Sequence, residues 1–252
     1  MKTITIRFYE ELNDFLPKDR KKRSFQHHFK NNPSIKDIIE SLGVPHCEVD
    51  LILANGQSID FSCQPENDDI ISVYPQFESF DISPLIRLRE KPLRVTRFIS
   101  DVNLGKLAKY LRLLGFDTLY NNNYKDDEIT EIAAKEKRII LTRDTGLLKR
   151  KRVLRGYFVR STNPKDQIKE IIHRFDLQNN ICSFTRCLEC NGLIMEVSKT
   201  DIYDKLQPNT KKYFSKFFQC GVCKKIYWQG SHYENMIKEI KTWLDYSGLN
   251  CG

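Results

Sequence analysis

Two pairs of cysteines near the C-terminus have the spacing of metal ligands. Cys187-Leu-Glu-Cys190 and Cys220-Gly-Val-Cys223 are CxxC motifs, and 29 residues separate them. A CxxC turn directs two thiolates toward one centre, so two such turns complete a tetrahedral four-sulfur site. Redox motifs or unrelated core cysteines are the alternatives, but neither explains two pairs in one segment. The sequence predicts a closed, structural zinc site at Cys187, Cys190, Cys220 and Cys223. The other four cysteines are expected to be buried or incidental thiols: Cys47, Cys63, Cys182 and Cys251.

Two aspartates follow predicted strands. Asp101 comes directly after LRVTRFIS, and Asp144 comes two residues after RIILT. The carboxyl ends of parallel strands form the ligand crevice of a doubly wound sheet, so the two carboxylates meet if these strands are neighbours. Such a pair can hold Mg²⁺ or Mn²⁺, orient a water and offset charge on a phosphodiester. An aspartate between a strand and a helix is also a common N-cap, and that alternative stays open for both.

A cluster of three acids, Asp126, Asp127 and Glu128, opens a predicted helix. One of them is expected to cap the helix, because a helix N-terminus favours negative charge. Asp127 is a further candidate metal ligand. Asp117 lies within a predicted strand and is expected to face solvent.

Basic residues follow Asp144 closely. Residues 81–160 hold 19 basic and 10 acidic side chains, a net charge of +9, whereas residues 1–80 hold 9 and 13, a net charge of −4. A run of charge is usually a solvated face, but the run that begins at Lys149 lies beside the acidic candidate and favours contact with phosphates. The predicted RNA contacts are Lys106, Arg143, Lys149, Arg150, Lys151 and Arg152. Tyr227 and Trp228 are expected to be core residues.

Three segments are expected to position these residues, in an α/β fold. Residues 1–83 contain two strands, a helix with a capping box at Ser34 and Asp37, an Asn55-Gly56 hairpin and a last strand. That order predicts a ubiquitin-like β-grasp module. Residues 84–180 alternate strands and helices, which predicts a parallel sheet. Residues 181–252 are too few for a large core, so the cysteine site must stabilise them as a zinc ribbon.

Composition sets limits on the class of protein. The chain has 252 residues, of which 40% are hydrophobic and 29% charged, as is usual for a soluble globular protein. Its net charge of +8 favours an anionic partner. The longest stretch without a charged residue is nine residues, as at Leu51–Ile59, which excludes a transmembrane helix. The N-terminus has no signal-peptide core, so we expect a cytoplasmic protein with no membrane partner.

The central part of the chain resembles the Mut-seven C-terminal RNase domain, a branch of the PIN-like nucleases, in RFISDVNLGKLAKYLRLLGFDTLY and DDEITEIAAKEKRIILTRD. The later stretches RCLEC and QCGVCKKIYWQGSHYENM match the zinc ribbon appended to that family. Near the N-terminus, RFYEELNDFLP, IESLGVPHCEVD and ISVYPQFE resemble the ubiquitin-like module that precedes it in many prokaryotic members.

The resemblance implies a metal-dependent ribonuclease. Asp101 matches the first acidic position of the family, Asp144 matches the acid of its TRD motif, and Asp127 falls in the acidic stretch between them. The four motif cysteines match the ribbon ligands. PIN nucleases generally use three or four acids, and Asp166 is a candidate for the fourth. Sulfur carriers of the β-grasp class end in a diglycine, and none lies near residues 77–84. The N-terminal module is therefore expected to bind a protein partner and not to carry sulfur.

These observations predict a divalent-metal-dependent ribonuclease that hydrolyses RNA phosphodiester bonds at a PIN-like site formed by Asp101, Asp144 and Asp127. One alternative is a catalytically silent RNA-binding adaptor, in which the acids are only helix caps. Another is a protein-interaction scaffold that recruits its partner through the β-grasp module.

Overall fold

The structure is a computed structural model, and it describes residues 1–75, Leu88 and residues 96–244. The chain divides into two compact units. The first comprises residues 1–95 and 125–158, and the second comprises residues 96–124 and 159–252. The chain therefore enters each unit twice.

The N-terminal part of the first unit is a five-stranded mixed sheet with one helix. Its elements are β1 (Lys2–Phe8), β2 (Phe25–Phe29), α1 (Ile35–Ser41), β3 (Val49–Ala54), β4 (Gln57–Ile59) and β5 (Ile70–Pro75). The strand order is β2-β1-β5-β3-β4. Strands β1 and β5 pair in parallel, whereas the other neighbours pair antiparallel. This is the predicted β-grasp arrangement.

Local sequence explains these elements. The side chain of Ser34 accepts a hydrogen bond from the Asp37 amide, and the Asp37 carboxylate accepts one from the Ser34 amide, so the predicted capping box starts α1. Asn55 and Gly56 have φ angles of +49° and +82°, which fit the two-residue hairpin between β3 and β4. The alternating pattern of β1 buries Ile4, Ile6 and Phe8 against α1 in one core.

The next segment alternates strands and helices as predicted. Its elements are β6 (Arg97–Ser100), α2 (Gly105–Leu113), β7 (Asp117–Leu119), α3 (Asp126–Glu136), β8 (Ile139–Thr142), α4 (Thr145–Leu148), β9 (Gly156–Phe158) and α5 (Pro164–Arg174). In the second unit β6 pairs in parallel with β7, and in the first unit β8 pairs in parallel with β9. Parallel pairing directs the carboxyl ends of both strands of a pair to the same edge.

The C-terminal part of the second unit is a three-stranded antiparallel sheet with three helices. Its elements are β10 (Ile194–Val197), α6 (Lys199–Ile202), α7 (Pro208–Tyr213), β11 (Phe217–Cys220), β12 (Ile226–Trp228) and α8 (Ser231–Leu244). The strand order is β10-β11-β12. Together with the four close cysteines, this sheet is compatible with the predicted zinc ribbon.

In the first unit, the β-grasp module packs against residues 125–158. A 3-10 turn at His46–Glu48 makes the contact: His46 Nε2 lies 2.9 Å from the carbonyl oxygen of Val153. The amide of Phe158 donates to Glu48 Oε1 at 2.6 Å, and Glu48 is only 1% exposed. The module therefore supports β9 and the segment just before it.

The α/β fold class, with its N-terminal ubiquitin-like module and parallel strands, is confirmed. The predicted boundary at residues 83 and 84 lies outside the described residues, so the division into 1–83, 84–180 and 181–252 stays a prediction. No helix in the described part of the chain has the length and hydropathy needed to span a bilayer.

Candidate metal centre and candidate active site

The two CxxC pairs fold as matching turns. The Asn191 amide donates to the Cys187 carbonyl at 3.0 Å, and the Lys224 amide donates to the Cys220 carbonyl at 3.1 Å. Asn191 and Lys224 have φ angles of +67° and +61°, a left-handed conformation that lets each turn close after its second cysteine. Each turn can thus present two sulfur atoms on one side.

The four sulfur atoms converge. Sγ of Cys187 lies 3.5 Å from Sγ of Cys223, and Sγ of Cys190 lies 3.4 Å from Sγ of Cys220. All four atoms lie within 4.8 Å of one another. A tetrahedral site with zinc–sulfur bonds of about 2.3 Å requires sulfur separations of about 3.8 Å, so the cluster has the size of a metal site. The predicted convergence of these cysteines is confirmed, and they can hold one metal ion.

Tyr227 contributes a hydroxyl group to this centre. Its Oη lies 3.0 Å from Sγ of Cys187 and accepts a hydrogen bond from the Leu188 amide at 3.2 Å. Burial opposes ionisation of Cys187, but hydrogen bonds from Tyr227 and from the amides of Cys190 and Glu189 bring the pKa of its thiol down to about 6. A thiol with that pKa is largely thiolate at neutral pH, which is the form that binds metal.

The first cysteine turn is held by a buried arginine of α2. Arg112 is 3% exposed, and its Nη1 donates to the carbonyl oxygens of Leu188 at 3.0 Å and Glu189 at 2.8 Å. Its Nε donates to the carbonyl of Thr118 in β7 at 2.9 Å. The Arg112 guanidinium therefore links the first cysteine turn to both α2 and β7.

Asn191 and Asp117 make a second connection to the same turn. The side chain of Asn191 accepts from the Thr118 amide at 3.0 Å and donates to Asp117 Oδ1 at 2.8 Å. Arg186 Nη2 lies 3.4 Å from Asp117 Oδ2. The Asp117 side chain is 16% exposed, so the expectation that it faces solvent is wrong: the cysteine turn covers this part of β7.

Asp101 lies at the end of β6 and is 6% exposed. Its Oδ1 accepts a hydrogen bond from the Val102 amide at 2.6 Å, at the start of a 3-10 turn that leads into α2. The hydroxyl of Tyr120 donates to the carbonyl of Val102 at 3.0 Å. A Cβ atom at Gly105 would lie 2.5 Å from that hydroxyl, so a larger residue there would displace the Tyr120 side chain from this contact. The loop that carries Asp101 is closely held.

Asp144 caps α4. Its Oδ1 accepts from the Gly146 amide at 2.7 Å, and its own amide donates to Thr142 Oγ1 at 2.9 Å. The side chain is exposed, in contrast to that of Asp101. Each aspartate therefore follows a strand and caps a helical turn. This placement agrees with both interpretations from the sequence, the metal ligand and the helix N-cap. Asp101 belongs to the second unit and Asp144 to the first, and their convergence stays a prediction.

The acidic cluster at α3 differs in detail from the expectation. Lys125 occupies the N-cap position, and Glu128 supplies the capping contact by accepting from the Lys125 amide at 2.8 Å. Asp126 Oδ2 accepts from Arg150 Nη2 at 2.9 Å, and Asp127 pairs with Nη1 of the same guanidinium. Asp127 is therefore an ion-pair partner at the surface.

Lys149 and Arg150, two of the predicted RNA contacts, bind named groups of the first unit. The Lys149 ammonium donates to the carbonyl of Glu40 in the β-grasp module at 2.9 Å, and Arg150 binds the acids at α3. The others are exposed or half-buried at the surface: Lys106, Arg143, Lys151 and Arg152.

The remaining cysteines differ in exposure. Cys47 is buried, Cys63 is half-buried and Cys182 is exposed. Cys251 lies outside the described residues. In the described part of the chain, the one cluster of three or more potential metal-ligating side chains is that of the four motif cysteines.

Residues 96–240, more than half of the chain, match the family model of the Mut7-C RNAse domain. The chain belongs to the Mut7-C RNAse family. Residues 1–81 match the model of the Mut7-C ubiquitin domain, so the β-grasp module is the ubiquitin-like module of that family. The matched Mut7-C RNAse region includes both CxxC pairs as well as Asp101 and Asp144.

No curated protein matches the chain. Among solved structures, SAMP1 from Haloferax volcanii is similar to the chain at 10% sequence identity and a TM-score of 0.25. The similarity covers 31% of this chain and 99% of SAMP1.

Proposed function

We propose that this Mut7-C RNAse protein is a divalent-metal-dependent ribonuclease with a PIN-like carboxylate site. The observation that carries the proposal is the equivalent position of Asp101 and Asp144. Each follows a parallel-paired strand, and each has one carboxylate oxygen fixed by a backbone amide of the following turn. The family match supports a ribonuclease domain over the residues that contain both.

The donor chemistry fits a hard cation, because Mg²⁺ and Mn²⁺ prefer carboxylate oxygen ligands. When bound, such a cation supplies a water of lowered pKa and a counter-charge for the scissile phosphate. In this proposal Asp101 and Asp144 hold the cation. The Val102 and Gly146 amides restrict the orientation of the two side chains. Asp127 is the third acid, and it enters the site only by exchanging its contact with Arg150.

Exposed basic side chains provide the proposed phosphate contacts. Lys106 lies on α2 after Asp101, and Lys151 and Arg152 follow α4 after Asp144; all three are exposed. Arg143 is half-buried beside Asp144. We assign Lys149 and Arg150 to structure first, because each has a partner within the first unit.

We further propose that the cysteine cluster binds zinc as a structural ion. Four thiolates at this spacing complete a closed tetrahedral site and leave no position for substrate. Metal analysis of the purified chain is expected to give one zinc per molecule, and the Cys190→Ser variant is expected to lose it.

For the ubiquitin-like module we propose a protein-binding role, as the resemblance implies. In its sheet β2 and β4 are the outermost strands, and a partner strand can extend a sheet at such a position.

A catalytically silent RNA-binding adaptor is the second candidate. It is favoured by the capping role of both strand-end aspartates and by the ion pair between Asp127 and Arg150. In this case RNA binding weakens steeply as salt rises, because phosphate contacts release counterions, but no metal-dependent cleavage occurs.

The deciding experiment is a cleavage assay on mixed cellular RNA with Mn²⁺ or Mg²⁺. The wild type is compared with Asp144→Asn, which removes the charge but keeps an N-cap, since asparagine caps as well as aspartate. Asp37→Asn, an exposed acid at the start of α1, is the matched control. We expect cleavage by the wild type and the control, and background cleavage by Asp144→Asn.

Equal cleavage by all three proteins would contradict a catalytic role for Asp144. Cleavage by none of them, with salt-sensitive binding retained, would support the adaptor.

A further inference from the structure

An insertion separates the two metal-binding turns. The connection between β10 and β11 contains α6 and α7, and it brings Ile202 and Leu206 onto Phe217 in a small core. Two CxxC pairs can complete a metal site with only about 15–20 residues between them, fewer than the 29 found here. The insertion therefore adds a surface that metal binding does not need.

Aromatic rings of this insertion are exposed to solvent. Tyr203 is 49% exposed and Tyr213 is 69% exposed. Trp228, on the sheet that the insertion covers, is 38% exposed, and its ring lies 6.4 Å from that of Phe214. Neither tyrosine belongs to the small core, so the packing of that core does not require either ring. Exposed aromatic rings within one short segment are candidates for a binding surface.

Lysines accompany these rings. The Lys211 ammonium lies 4.2 Å from the ring centre of Tyr203, and the Lys212 ammonium lies 5.4 Å from that of Tyr213. Residues 198–216 hold five lysines and two aspartates, a net charge of +3. The insertion thus combines flat apolar faces with positive charge, which complements a polymer of bases and phosphates.

We propose that this tyrosine–lysine surface, formed by Tyr203, Lys205, Lys211, Lys212 and Tyr213, binds single-stranded RNA. Bases stack on the tyrosine rings whatever their identity, and the ammonium groups neutralise the phosphates between them. Duplex RNA keeps its bases stacked inside the helix, so the surface prefers single strands. The inference rests on RNA as the ligand proposed above, but uses residues that take no part in the acidic site.

The test measures the affinity of the full chain for a fluorescent single-stranded RNA of mixed sequence, by anisotropy, without added Mg²⁺ or Mn²⁺. The double variant Tyr203→Ala/Tyr213→Ala is expected to bind at least about tenfold more weakly, because stacking on both rings is lost. Tyr203→Phe/Tyr213→Phe is expected to keep the wild-type affinity, because stacking needs the ring and not the hydroxyl.

The charge is tested separately through the salt dependence of binding. Lys205→Gln/Lys212→Gln is expected to reduce the slope of log affinity against log salt by about 1.4, since each phosphate contact on a single strand contributes about 0.7. Lys135→Gln/Lys169→Gln removes the same charge from exposed positions of α3 and α5 and is expected to leave the slope unchanged.

Unchanged affinity in the double alanine variant, at an unchanged thermal midpoint, would overturn the proposal. So would equal binding of duplex and single strand. A wild-type chain that binds no single-stranded RNA at low salt would also overturn it and leave a protein as the occupant. Binding that follows these expectations without any cleavage would overturn the nuclease proposal alone, so the two failures are distinguishable.

Discussion

The Tyr227 hydroxyl lies beside Sγ of Cys187, while its other hydrogen bond comes from the Leu188 amide. Because the amide donates to the oxygen, the hydroxyl hydrogen is available to the sulfur. A hydrogen bond of this kind stabilises the thiolate and fixes the direction of the ligand. Tyr227 thus acts through Cys187 and is a positioning residue for the proposed metal ligand.

We predict that Tyr227→Phe lowers metal affinity by about tenfold, the lower end of what loss of an outer hydrogen bond to a ligand costs. Competition against a chromogenic chelator measures the affinity. Tyr203→Phe, at an exposed tyrosine of the same sheet-and-helix region, is the control and is expected to match the wild type. Equal affinity of both variants would show that the hydroxyl has no effect on the metal.

At the scale of elements, α2 and β7 serve as the support of the first cysteine turn. Arg112 reaches from α2 to the carbonyls of Leu188 and Glu189, and Asn191 reaches back to β7. Tyr120, directly after β7, donates to Val102 in the 3-10 turn that follows Asp101 and leads into α2. The first cysteine turn contacts α2 and β7 themselves, whereas the turn after Asp101 contacts the residue that follows β7.

We predict that Arg112→Gln destabilises the protein by about 3 kcal/mol, because the buried carbonyl of Thr118 and the two carbonyls of the cysteine turn lose their Arg112 donor. Lys109→Gln removes the same charge from an exposed position of α2 and is expected to change stability by less than about 0.5 kcal/mol. Urea unfolding followed by circular dichroism measures both. A similar small effect in both variants would contradict the supporting role of Arg112.

The sequence-based predictions of individual elements depended on local patterns. The capping box at Ser34, the Asn55-Gly56 hairpin and the CxxC turns all depend on residues a few positions apart, and all three are confirmed. Arg112 and Tyr227 were missed as supports of the metal site. Their partners lie 76 and 40 residues away along the chain, and neither residue type signals such a contact.

At the scale of the whole molecule, the ubiquitin-like module is a structural part of the first unit. It shares that unit with residues 125–158, which the sequence assigned to a separate domain. Sequence patterns could not reveal this association, because it depends on surface complementarity between distant segments. This association gives the lysines of the basic run different surroundings. Lys149 contacts the module, whereas Lys151 is exposed.

Substitutions at these two lysines are therefore expected to affect different properties, protein stability at Lys149 and RNA binding at Lys151. We predict that Lys149→Gln lowers the free energy of unfolding by about 1 kcal/mol, because it loses the charged hydrogen bond to Glu40. Lys151→Gln is expected to leave stability unchanged and to reduce the salt slope of RNA binding by about 0.7. Thermal unfolding and anisotropy measure the two effects. The same change in both variants, in either assay, would contradict this division of roles.

The contact between the module and residues 125–158 also bears on synthesis of the chain. Val153 and Phe158 meet their partners His46 and Glu48 at separations of 107 and 110 residues, so they leave the ribosome well after the module. N-terminal domains generally fold first during translation. The finished module then presents His46 and Glu48 as preformed partners for Val153 and Phe158, so the chain supplies its own template for this segment. We therefore expect a chain that lacks its first 83 residues to misfold around β9, so its loss of function would reflect misfolding before it reflected the loss of a partner.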